Sequence, residues 1–128
     1  MSYYDRYCSI ESLKGKVLEE IVSTDREITF RTVDGETYKM YHEQDCCESV
    51  YIESIVGDLE DLLFEPILRA EKTDNLFDMI KNADKEEDGD ESHTWTFYKL
   101  ATRKGYVDIR WYGSSNGYYS EGVSIIKE

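Results

Sequence analysis

The chain has 128 residues, 40% of them hydrophobic and 13% aromatic, and a formal net charge of −13. That composition excludes a disordered polar chain and suffices for one hydrophobic core, while the acidity disfavours direct contact with nucleic-acid phosphates. No apolar run approaches a membrane span, and "MSYYDRYCSIESLKG" lacks a signal-peptide pattern, so a soluble cytoplasmic protein away from membranes is expected.

From the N-terminus, "CSIESLKGK" reads as one helical turn or a loop ending near Gly15. "KVLEEIV", "EITFRTV" and "ETYKMYH" read as a three-stranded antiparallel meander. The second and third runs alternate, with Ile28 and Phe30 on one side and Tyr38 and Met40 on one side. Asp34-Gly35 between them is a two-residue hairpin signal. "VYIESIV" fits a strand or a helix start. In "GDLEDLLFEP", Asp58 is placed to cap a short helix over about 58–65 that Pro66 stops. Leu59, Leu62 and Leu63 form its apolar face, with Asp58, Asp61 and Glu65 opposite. "PILRAEK" reads as a strand and "DNLFDMIKNA" as one or two helical turns. Residues 84–91, "DKEEDGDE", read as an acidic mobile loop. "HTWTFYKLAT", "GYVDIRWYG" and "GYYSEGVSII" read as a second meander. Val107, Ile109 and Trp111 line its buried face, and Tyr106, Asp108, Arg110 and Tyr112 its other face. The expected fold is a single α+β domain over residues 1–128: β-rich, two antiparallel meanders around one core, with one short helix.

Charge is segregated along the chain. Residues 40–91 alone carry −13, and residues 40–68 hold eight acids without one Lys or Arg. A solvated acidic face is the plain reading, and a surface for a basic partner the sharper one. "YHEQDCCESVYIE" concentrates possible metal ligands: His42, Asp45, Cys46, Cys47 and Glu48. Structural zinc sites use spaced pairs of ligands, whereas these cysteines are adjacent and Cys8 is distant, so no metal or cofactor is expected. The odd cysteine count argues for reduced thiols. A Cys46–His42 dyad has nothing beside it that marks an oxyanion hole, and no catalytic residue is assigned. Gly113 to Gly117 form a polar loop with the turn residues of a hairpin. Beside it, Arg110 sits among Tyr106, Trp111, Tyr112, Tyr118 and Tyr119, types that dominate protein–protein contacts.

"YHEQDCCESVYIE", "GDLEDLL", "PILRAE" and "SHTWTFYKLATRKGYVDIRWYGSSNGYYSEGV" together resemble a family of small acidic proteins of unknown function found in bacteriophages and bacterial mobile elements; the resemblance covers roughly residues 15–125. What it implies is context: a phage-type inhibitor in a bacterial host cell, of the anti-defence, anti-CRISPR or DNA-mimic class. The first expectation is therefore a non-enzymatic binding protein that blocks a basic nucleic-acid-handling host protein such as a nuclease. Glu43, Asp45, Glu48, Asp58, Asp61 and Glu65 would face that partner. A second is a small-molecule or nucleotide-signal binder that uses Arg110, Tyr112, Ser114, Asn116, Tyr118 and Tyr119. A third is a self-associating phage structural or assembly protein.

Overall fold

Alternating apolar residues give each long strand one buried side, and two antiparallel sheets bury those sides against each other. The computed structural model describes residues 7–44, 47–74, 92–115 and 121–128. The strands are β1 (Tyr7–Cys8), β2 (Leu18–Ser23), β3 (Glu27–Thr32), β4 (Thr37–Tyr41), β5 (Ser49–Val56), β6 (Arg69–Asp74), β7 (Ser92–Thr102), β8 (Gly105–Ser115) and β9 (Ser124–Lys127). The first sheet has the order β1-β9-β4-β3-β2 and the second β5-β8-β7-β6. Ile28, Phe30, Tyr38, Met40 and Ile125 from one sheet meet Val50, Tyr98, Leu100, Val107, Ile109 and Trp111 from the other in one core. The Trp111 indole N–H donates to Met40 Sδ across this interface, at 3.2 Å.

The first meander forms in the expected order, but the β3–β4 loop holds three residues, Val33 to Gly35, in place of the expected two, because Thr32 pairs opposite Glu36. β2, β3 and β4 pair in sequence, and Gly35 in the β3–β4 turn adopts a φ of +94°, open to glycine without steric cost. Asp34 takes the Thr32 hydroxyl and closes that turn.

Two expectations are corrected. The fold is all-β in its described residues: the helix expected over 58–65 is a four-residue 3-10 turn, Leu59–Leu62. Asp58 does cap it, accepting from the Glu60 N–H at 3.0 Å. A longer helix does not form because the next residues are taken by the first sheet. Leu63 bridges Leu18, Pro66 bridges Val17, and Leu63 is already extended. A nucleus of one turn has nothing to propagate into. The second four-residue 3-10 turn, Ile10–Leu13, lies where a helical turn was expected.

The C-terminal meander is likewise a hairpin, β7–β8, flanked by β5 and β6. The third run crosses to the other sheet and enters as β9 between β1 and β4. Ile125 faces the core from there, 5% exposed, which pairing in the second sheet would not provide. Asp74, the first residue of the stretch read as helical turns, is the last of β6; the rest of that stretch and the 84–91 loop lie outside the described residues, as do Asp45, Cys46, Asn116, Tyr118 and Tyr119.

Candidate functional site

The five candidate acids among the described residues fall at two places. β5 runs eight residues between them, roughly 25 Å at the usual rise per residue. Glu43 and Glu48 lie before β5, and Asp58, Asp61 and Glu65 follow it.

Before β5, the carboxylates are engaged. Glu43 accepts from the Tyr41 hydroxyl at 2.9 Å and also from Tyr7. Glu48 is buried, 4% exposed, and meets His42 Nε2 at 2.7 Å; the expectation that it faces solvent is corrected. His42 Nδ1 donates to the Gly122 carbonyl at 2.6 Å, since a carbonyl only accepts. The His42 side chain thereby ties the exit of β4 to the start of β5 and the approach to β9. Both ring nitrogens are engaged, so neither is left to activate a thiol. Cys47 is exposed and disulfide-bonded, which corrects the expectation of reduced thiols. Cys8 is free, and burial pushes its thiol above the ordinary value. Nearby, Glu121 is 7% exposed, takes the Ser115 hydroxyl with Oε2 and buries Oε1 without a hydrogen-bond partner. Among the described residues, no three His, Cys, Asp or Glu side chains converge with metal-binding geometry.

After β5, the acids gather because the chain turns tightly. Asp58 and Glu60 are exposed on the 3-10 turn. Asp61 lies against the backbone of Gly105, where a Cβ would meet its Oδ2 at 2.7 Å, and its own carbonyl accepts from Thr102 Oγ1 at 2.5 Å. Glu65 holds Arg103 by two contacts, 2.9 and 3.3 Å. The β7–β8 hairpin therefore packs its turn, with Arg103 and Lys104, beside four carboxylates.

One residue here escaped the sequence reading. Phe64 is 62% exposed with a φ of +66°, the only positive φ outside glycine among the described residues. The cause is a reversal. Leu63 bridges Leu18 in parallel, and Pro66 bridges Val17 antiparallel. Glu65 precedes proline and is barred from the helical region, so the reversal falls on Phe64. Its N–H donates to the Leu18 carbonyl at 2.8 Å and holds it there. A left-handed bulky residue costs about 1–2 kcal/mol. The one available signal was the pairing of a bridge-forming leucine run with Pro66.

The outer face of the second sheet is the other candidate. The Arg110 guanidinium lies 5.3 Å from the Trp95 ring centre and pairs with Glu53 at 2.7 Å. Tyr112 packs between Tyr51 and Trp95, with ring centres 5.8 and 4.7 Å away, and bonds His93. Ser54, Val56, Phe97, Lys99, Asp108 and Arg110 line a depression of about 210 Å³. Ser114, on the same face, pairs in register with Ser49 and His93. Of the residues expected to form a ligand site, the structure brings Arg110, Tyr112 and Ser114 to this face.

No helix among the described residues is long and apolar enough to cross a membrane. A family model described as a domain of unknown function (DUF7448) matches residues 11–125. No curated protein and no solved structure matches the chain.

Proposed function

The chain belongs to the DUF7448 family of domains of unknown function, and on that premise we propose that it is a non-enzymatic binding protein that blocks a basic protein of nucleic-acid machinery in a bacterial cytoplasm. The observation that carries this reading is the acidic end of the second sheet. Asp58, Glu60, Asp61 and Glu65 gather there beside Arg103 and Lys104 of the β7–β8 turn, while Arg69, opposite Ala101 at the same end, is held by Glu71, in a chain of net charge −13. Grooves that hold nucleic acid are lined with Lys and Arg, and a segregated acidic surface steers them into contact. Glu43 and Glu48 are not part of that surface in this reading, because their carboxylates serve the fold. The inhibitory role and the phage context rest on the resemblance in sequence.

The test is capture of the partner from host lysate, its identification by mass spectrometry, and its affinity for Glu60→Lys/Asp61→Lys, which leaves the Asp58 cap in place. Affinity is expected to fall by about tenfold or more at low salt, and by less at high salt. Equal affinity at both salts would remove the acidic end from the mechanism.

A second reading is favoured by Arg110 over Trp95: the outer face of the second sheet is the contact surface. Its depression of about 210 Å³ is smaller than ordinary small-molecule sites, so it suits one partner side chain better than a nucleotide. Trp95→Ala would weaken the captured complex here and leave it unchanged under the first reading.

A further inference from the structure

We infer that Phe64 is the apolar anchor of a docking surface for a protein that presents a hydrophobic pocket inside a Lys/Arg-rich rim; this rests on the basic-partner reading above. Charge alone gives association rate more than affinity, and tight contacts centre on a few apolar or aromatic anchors ringed by polar groups. The acidic end has such an anchor. Phe64 lies between Asp61 and Glu65 in the chain and is 62% exposed. Val33 and Leu68, 53% and 58% exposed, belong to the same end. The Val33 N–H donates to Val17, which Pro66 bridges on its other side, and the Leu68 N–H donates to Ala101 beside the β7–β8 turn.

The fold does not need a phenyl ring at this position. Backbone reversal at positive φ suits glycine or asparagine, and either keeps the N–H bond to Leu18. A bulky apolar residue there gives up conformational ease while most of its ring stays in water. The charge around it selects the occupant. The neighbouring surface carries Asp58, Glu60 and Asp61 against Lys104, and the Arg103 and Arg69 guanidinium groups are held by Glu65 and Glu71, which leaves acids in excess around Phe64. An apolar pocket with an acidic rim would be repelled, whereas one with a basic rim is attracted.

The experiment uses two synthetic peptides as probes: one rich in Arg and Lys with interspersed Leu and Trp, and a twin of equal charge with Gly in their place. Binding to the full chain and to its Phe64→Gly variant is measured at low salt, together with thermal stability. The native chain is expected to prefer the apolar peptide by about tenfold, and Phe64→Gly to bind both peptides alike, as the native chain binds the Gly twin. Phe64→Gly should be at least as stable as the native protein, because it relieves the left-handed strain. Equal binding of both peptides by the native chain would overturn the anchor and leave the basic-partner reading standing. No binding of either peptide would overturn both. A clear loss of stability in Phe64→Gly would show that the ring serves the fold, and would also overturn the inference.

Discussion

Trp111 is 1% exposed and hydrogen-bonds Met40 in the facing sheet, so its ring closes the core from both sides. Trp111→Ala is expected to cost roughly 3–5 kcal/mol in urea melts, through lost burial and the cavity left behind. A loss below about 1 kcal/mol would mean that the ring is not in the core. At Gly57 the reason is backbone geometry. Its φ is +108°, and a Cβ would sit 2.5 Å from the Tyr106 carbonyl oxygen. Gly57→Ala therefore combines strain with a clash against a strand that cannot yield, and about 2 kcal/mol or more should be lost; an unchanged melt would refute this. Glu36 links the approach to β2 with β9 through Lys16 at 2.7 Å and Lys127 at 2.9 Å. Hydrogen bonds from Lys16 and then Lys127 hold its carboxyl down at about 2. A depressed carboxyl stabilises the fold above its unfolded value and loses that contribution as pH falls through the folded one. The loss belongs between about pH 4.5 and 2. Glu36→Gln should flatten the stability profile in that window and be neutral to further acidification there. The same slope in both proteins would show the pairs to be screened by solvent.

At the scale of elements, the sequence reading did best where period and turn chemistry agree. Ile28, Phe30, Tyr38 and Met40 alternate on either side of Asp34-Gly35, and that hairpin forms, with a loop one residue longer than the dipeptide implied. It failed where a short segment answers to partners far away in the chain. Asp58 was correctly placed as a cap, but its turn stops at Leu62 because Leu63 and Pro66 are claimed by residues 17 and 18. The last strand is the clearer case. β9 has the same β-rich pattern whether it continues the hairpin or leaves it, and only the vacancy between β1 and β4 decides. That placement is testable. Ile125→Ala should cost about 2–4 kcal/mol and loosen β1 as well, because β1 pairs with β9 in the described residues. Hydrogen exchange at Tyr7 and Cys8 reports it, and protection there unchanged from the native protein would contradict the pairing.

Over the whole molecule, the first sheet is closed by residues from both ends of the described chain, Cys8 opposite Ile125 and Tyr38 opposite Lys127. Such non-local pairing must close long loops before contacts repay the entropy. Refolding from urea should therefore take milliseconds to seconds, as in other sandwiches; complete recovery in microseconds by stopped-flow and temperature-jump would contradict the topology. Under the proposed reading the net charge works at this scale too: it would steer encounters with a basic partner, and salt should weaken that association. Composition and period were enough to determine a β-rich chain with one core, the buried face of Val107, Ile109 and Trp111, and an acidic middle, because each follows from residues close together in the chain. Tertiary structure alone decided that Glu48 is buried on His42, that the candidate acids part to opposite ends of β5, and that Phe64 is turned out among carboxylates. Each of those depends on a partner between six and eighty residues away or on a bridge to another sheet, and no local pattern encodes such a meeting.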